Sequence, residues 1–168
     1  GNARAFYNPM KDRELDLRGY KATAIENMGI TGDKFDTLDM SDNEIMKLDN
    51  FPVFRRLKTL LMSNNVVRRV DPNIGKQLVE LRHLVLTNNK IANFGDIDNM
   101  ASLRNLVELS LVDNPVVRRP NYRLYVIHKM PQLRLLDFRR VRPLERENAN
   151  IMFSGKSGEL IKRKILVQ

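Results

Sequence analysis

The sequence predicts an α/β solenoid, with a parallel β-sheet lining the concave side, short helical or irregular connections on the convex side, and a helical cap at the C-terminal end. Three observations carry this reading. A pattern of apolar, two spacers, apolar, one spacer, apolar, two spacers, Asn, one spacer, apolar occurs as Phe35, Leu38, Met40, Asn43, Ile45. It recurs as Leu57, Leu60, Met62, Asn65, Val67, as Leu81, Leu84, Leu86, Asn89, Ile91, and as Leu106, Leu109, Leu111, Asn114, Val116. Degenerate copies flank these, with Leu15, Leu17, Tyr20, Ala22 before and Leu133, Leu136, Phe138, Val141 after. Steps from Tyr20 through Asn43, Asn65, Asn89 and Asn114 to Val141 are 23, 22, 24, 25 and 27 residues.

That period is the leucine-rich-repeat period. Two apolar residues separated by one spacer put both side chains on the same face of a short strand, and stacked strands build a sheet whose inner face is core. Met40 and Met62 fill leucine positions and are expected in that core. Asn43, Asn65, Asn89 and Asn114 stand where the chain leaves each strand. An amide there both donates and accepts, so a structural Asn ladder is expected to satisfy the turn backbone of adjacent repeats. Tyr20 and Val141 replace Asn in the terminal repeats, which lack a neighbour on one side.

The links, such as 47–56 and 70–80, are too short for long helices and contain Pro52 or Pro72, so they read as turns, 3₁₀ segments or single helical turns. Residues 121–129 form a compact helical stretch ended by Pro131, suited to closing the open end of the core. Three parts follow: an N-terminal segment at 1–11 without a clear pattern, a repeat domain with its cap at 12–143, and a basic, partly helical tail at 144–168. Within the tail, 145–153 and 159–167 read as helices on either side of a Ser-Gly-Lys-Ser-Gly break.

Composition narrows the function. The 168 residues include no Cys and two His, which excludes disulfides, thiolate zinc sites and cysteine nucleophiles and favours a reducing compartment. No run is long and apolar enough to span a membrane. No glycine-rich phosphate loop, serine elbow or paired-histidine motif occurs, so no enzyme, metal site or cofactor is expected. The Asp-rich stretch 33–49 resembles a calcium loop in composition, but the repeat register accounts for it. Net charge is +9, and it is graded along the chain. Residues 1–54 hold seven basic against ten acidic residues, 55–112 nine against five, and 113–168 thirteen against five. A gradient of this kind points to two surfaces with different partners, one of them anionic.

The register writes out the concave face. Spacers between the paired apolar residues are Asp16, Asp39, Leu61, Val85, Ser110 and Asp137, and the next outward positions are Arg18, Ser41, Ser63, Thr87, Val112 and Arg139. Leu61, Val85 and Val112 form an apolar strip on a face that would otherwise be wet, with Asp16, Asp39 and Asp42 as an acidic margin. A basic amphipathic helix would satisfy both. Arg139, Arg140 and Arg142 head the basic excess beyond residue 113, and the scarcity of interleaved aromatics suits backbone contacts to a duplex stem over stacking on unpaired bases.

The stretch Arg13-Glu-Leu-Asp-Leu-Arg-Gly-Tyr-Lys21 resembles the A-prime family of the U2 small nuclear ribonucleoprotein of the spliceosome. So do Asp42-Asn43-Glu44-Ile45, Arg55 to Leu61, Leu86 to Asn89, Tyr122 to Ile127, Leu136-Asp137-Phe138, Met152-Phe153 and Gly155-Lys156. The resemblance covers roughly residues 12–158 and implies a non-enzymatic, nuclear splicing protein. It implies a heterodimer in which Asp16, Arg18, Asp39, Leu61, Ser63, Val85, Thr87, Ser110 and Val112 grip a helix of the RNA-recognition-motif protein B-double-prime. The dimer would bind stem-loop four of U2 small nuclear RNA, among other spliceosomal proteins. Arg18, Lys21 and Lys156 lie in matching motifs for RNA contact, whereas Arg139, Arg140 and Arg142 are assigned to it by charge. The competing reading is an adaptor for a phosphatase or cytoskeletal protein, without RNA.

Overall fold

The computed structural model describes residues 3–167; residues 1, 2 and 168, the outer ends of the expected N-terminal segment and tail, lie outside them. Ten strands appear: β1 (Arg4–Tyr7), β2 (Arg13–Asp16), β3 (Thr37–Asp39), β4 (Lys47–Leu48), β5 (Thr59–Leu61), β6 (Arg69–Val70), β7 (His83–Val85), β8 (Glu108–Ser110), β9 (Leu135–Leu136) and β10 (Arg139–Arg140). The helices are α1 (Ile74–Gln77), α2 (Phe94–Met100), α3 (Tyr122–Lys129), α4 (Pro143–Phe153) and α5 (Gly155–Val167), with 3₁₀ turns at Met28–Thr31 and Pro115–Arg118.

The main sheet runs β1-β2-β3-β5-β7-β8-β9-β10 and is parallel from β2 to β9. Leu15, Leu38, Leu60, Leu84, Leu109 and Leu136 pair in register across it, and all are buried. Met40 and Met62 lie in the same core. Behind it, β4 and β6 make a second, two-stranded parallel sheet on the convex side. The links there are the expected turns and short helices, except that α2 reaches two turns, with Phe94, Ile97 and Met100 buried at helical spacing.

Between the two sheets the Asn side chains bind successive turns. Asn89 accepts from the Val67 N–H at 3.0 Å and donates to the carbonyls of Met62 and Leu86 at 2.9 and 3.0 Å. Asn65 and Asn114 repeat the arrangement one repeat earlier and later, and Asn43 accepts from both Tyr20 and Ala22. The residues just before them, Asp42, Asn64, Asn88 and Asp113, all hold left-handed backbone (φ 56–59°), a conformation Asn and Asp tolerate best after Gly. On the outside, Asn88 donates to Asn64 and Asn64 to Asp42, an exposed row beside the buried one.

Both sheet edges close with antiparallel hairpins. Residues 4–7, within the segment read as patternless, pair with β2. At the other edge, β9 and β10 are joined by Asp137 and Phe138, both at positive φ (54° and 62°), the backbone of a two-residue type I′ turn. The degenerate last repeat is therefore corrected: Phe138 sits exposed at the hairpin tip, not in the core, and Arg139 lies on the returning strand. The Asp137 carboxylate makes the turn, accepting from the Leu111 N–H at 2.7 Å and the Tyr122 hydroxyl at 2.9 Å. Residues 144–167 pack back on the cap, with Met152 of α4 partly buried against the core. Ala149 and Phe153 of α4 and Ile165 of α5 are buried in the main core, and the Phe153 ring packs edge-on against Tyr125. Gly158 permits the return of α5, since a Cβ there would lie 2.3 Å from the Phe153 carbonyl carbon.

Asn89→Ala orphans the buried Val67 N–H and removes one of the two Asn donors at each of the Met62 and Leu86 carbonyls, so it should destabilise the fold by about 2 kcal/mol. Asn64→Gly, which removes the exposed amide and keeps the left-handed backbone, should cost under about 0.5 kcal/mol. Urea unfolding of the two variants measures the difference.

Candidate interaction surface

Alternation along β2 to β8 sends one side chain in two to the concave face, and the register aligns them into rows. The middle row runs Asp16, Asp39, Leu61, Val85, Ser110. Leu61 and Val85 are adjacent and half-buried, and Val112, two residues past Ser110, continues the apolar strip in the next row beside Thr87. Ser110 is 0% exposed, and its hydroxyl is hydrogen-bonded to that of Thr87 at 2.8 Å. Ser110 thus supports Thr87 and presents nothing itself. Ser63 and Thr87 remain half-exposed beside the strip.

The acidic margin is already partly neutralised. Arg18 binds both oxygens of Asp16, with Nε to Oδ1 at 3.1 Å and Nη2 to Oδ2 at 3.0 Å, and lies 3.7 Å from Asp39. These bonds hold the Asp16 carboxyl below its ordinary range and raise the Arg18 guanidinium. Asp39 is buried, accepting from the Ser41 N–H at 3.0 Å. Asp42 is the open carboxylate of the three, sharing only the Asn64 amide.

A third concave row, one residue before the first leucine of each strand, was missed by sequence reasoning: Glu14, Thr37, Thr59, His83, Glu108 and Leu135. His83 Nδ1 lies 2.9 Å from Glu108 Oε1 beside the apolar strip. Extending strand alternation by one more step, two residues toward the strand start, would have found the row. Arg4 and Phe6 add to the same face from β1, since they pair with Asp16 and Glu14.

The residues assigned to RNA do not meet in one site. Arg18 and exposed Lys21 lie at the β2 end of the sheet, while Arg139 and Arg140 lie on β10. Five parallel steps and one antiparallel step separate β2 from β10, which is about 29 Å at ordinary strand spacing. Arg139, Arg140 and Arg142 do gather, around a pocket shared with Arg123 and Glu145. Arg123 ties this corner together by donating to the Leu136 and Arg140 carbonyls and pairing with Glu145. The Arg123 bond holds the Glu145 carboxyl below its ordinary range, and Glu145 also accepts from the Arg142 N–H, capping α4. Exposed Lys156 stands in the first turn of α5, beyond the far end of α4, a helix about 16 Å long that begins next to Arg142. Among the described residues, no group of three or more His, Cys, Asp or Glu is placed to hold a metal ion.

Stacked strands joined by buried Asn amides define a leucine-rich-repeat protein, and a family model described as leucine-rich repeat matches residues 1–166; the chain belongs to that family. Within it, the chain is 52% identical over 160 residues to the U2 small nuclear ribonucleoprotein A' of Arabidopsis thaliana and 51% identical over 163 residues to that of Homo sapiens. These alignments take in 95% and 97% of this chain but 64% of each relative, so the chain spans just under two thirds of their length. A solved structure of the Drosophila melanogaster SNF/U2A' complex contains a chain that superposes with a TM-score of 0.93 at 43% identity, covering 98% of this chain and 94% of that one.

Because folded Glu145 titrates below its ordinary value, its contribution to stability is present above about pH 4.5 and is lost as pH falls through the lower folded value. Glu145→Gln should lower stability by about 1–2 kcal/mol at pH 7 and flatten that part of the acid profile. Thermal melts between neutral and acid pH measure both effects.

Proposed function

We propose that the chain is a non-enzymatic assembly protein of the U2 small nuclear ribonucleoprotein, acting in the nucleus in pre-mRNA splicing. In this reading it holds an RNA-recognition-motif partner of the B-double-prime type through its concave face. The observation that carries the proposal is the near-complete superposition on a chain of the SNF/U2A' complex, at 43% identity. The curated A' relatives support the same assignment.

The site's chemistry suits a helix. Leu61, Val85 and Val112 offer an apolar strip for its buried stripe, while Ser63 and Thr87 offer hydroxyls alongside. Asp42 and the His83–Glu108 pair supply polar groups at the rim. Arg18, Asp16 and Asp39 enter as a preformed cluster, so they constrain the partner's charge less than two open carboxylates would.

The heterodimer would then bind stem-loop four of U2 small nuclear RNA, with the partner reading loop bases and this chain contacting the stem's phosphates. Arg139, Arg140 and Arg142 at one end, and Arg18 and Lys21 at the other, bracket the concave face and suit that division of labour.

Replacing both Leu61 and Val85 with Asp puts two charges where the partner's apolar stripe would lie, so a pull-down with the partner should fall to background while the melting temperature is unchanged. Retained binding would place the partner elsewhere. Titrating the stem-loop with heterodimer and with partner alone across rising salt should give a steeper slope for the heterodimer, by about one unit per added phosphate contact. Equal slopes would remove RNA contact from this chain, as the adaptor reading requires.

A further inference from the structure

The strand-start edge of the sheet, away from the concave strip and adjoining the Arg139 corner, carries a row of positions, three of four cationic, set by the backbone itself. The Lys58 carbonyl accepts from the N–H groups of Arg82 and His83, that of Arg82 from Val107 and Glu108, and that of Val107 from Arg134 and Leu135, at 2.8–3.1 Å. Positions 58, 82, 107 and 134 therefore stack one per repeat, about 4.8 Å apart. Arg104, from the loop before β8, and Arg146, from α4, converge on the same place. With Arg82 and Arg134 they line one open groove over Val107 and Pro131.

Four features make this a ligand surface. Its lining holds four Arg and no carboxylate. Among the described residues, no Asp or Glu forms an ion pair with Lys58, Arg82, Arg104, Arg134 or Arg146. Arg146 is half-buried and anchored on the Leu133 carbonyl, so its guanidinium is held in place at the groove wall. Finally, the backbone groups along the row are already used within the sheet, so a peptide could not add to it as a strand.

We propose that this edge binds the phosphodiester backbone of an RNA duplex. Cations gathered along one edge match a polyanion, and guanidinium forks match phosphate oxygens bidentately. The groove has no aromatic side chain on which an unpaired base could stack, which favours a duplex over a single strand. The surface is separate from the concave face, so one chain could hold its protein partner and a second RNA segment together.

The test is binding of the unpartnered chain to a mixed-sequence RNA duplex of about two helical turns, followed by fluorescence anisotropy in rising potassium chloride. Arg82→Gln, Arg104→Gln and Arg134→Gln combined should weaken binding about tenfold and make the slope of log affinity against log salt shallower by about 2–3. The same three positions changed to Lys should keep the slope, and all variants should melt like the parent. Partner pull-down should be unaffected by the Gln variant, which separates failure here from failure of the concave-face reading. Unchanged duplex affinity in the Gln variant overturns the proposal. So does a loss confined to a poly-glutamate peptide, which would assign the groove to acidic protein segments, or a duplex affinity lost entirely through Arg139→Gln and Arg140→Gln.

Discussion

The interaction on which the rest depends is the buried primary amide at each turn out of the sheet. An Asn side chain has one acceptor oxygen and two donor hydrogens. In Asn65, Asn89 and Asn114 the oxygen takes an N–H of the preceding repeat, from Ile45, Val67 and Ile91. The donors reach one carbonyl of their own turn and one of the preceding repeat, which for Asn89 are Leu86 and Met62. Each amide is thus a gauge of fixed length between neighbouring turns. An Asp could not donate and a Gln would be too long, so the residue type, and not merely its polarity, sets the spacing. Once the turns are fixed, the leucines of successive strands must pair in register, and the concave rows follow.

What the sequence made legible is what this gauge repeats. The core positions, the ladder, and the rows through Leu61 and Thr87 all recur with one period, so a pattern match finds them. The unrepeated parts escaped for identifiable reasons. The strand at residues 4–7 alternates Arg, Ala, Phe, Tyr with no buried residue among them, and it is ordered by the exposed edge of β2. The hairpin at Asp137–Phe138 needs two non-glycine residues at positive φ, which local preference disfavours and which Tyr122 and the Leu111 N–H secure from outside the turn. Helix α2 contains Gly95 and two Asp, poor helix formers, yet Asp96 is buried where its carboxylate accepts from the Val70 N–H of β6. In each case a tertiary contact overrides the local signal.

Charge shows the same limit. Counted along the chain, the first third is acidic, and Asp16 and Asp39 look like an open margin. In space Arg18 lies across both, and Asp39 is buried. Reading residues by type put these side chains on one face and misjudged how much of their charge remains available. The opposite error occurs at Arg82, Arg104 and Arg134, which sequence separates by 22 and 30 positions and which the repeat brings to one groove. Neither effect is visible without the stacking rule, because period converts distance along the chain into adjacency across strands.

A solenoid also allows one small domain to carry two distinct surfaces without compromise. Each repeat contributes alternate strand residues to the concave face and a separate residue to the strand-start edge, and no position belongs to both. The apolar side chains at 61 and 85 therefore leave the cation row clear, and the arginines at 82 and 134 place no charge under the apolar strip. The core leucines between them carry the folding energy and touch neither surface. Apolar and basic surfaces that would oppose one another on a compact sheet are kept apart here by strand alternation, and the amide gauge keeps that separation constant from one repeat to the next.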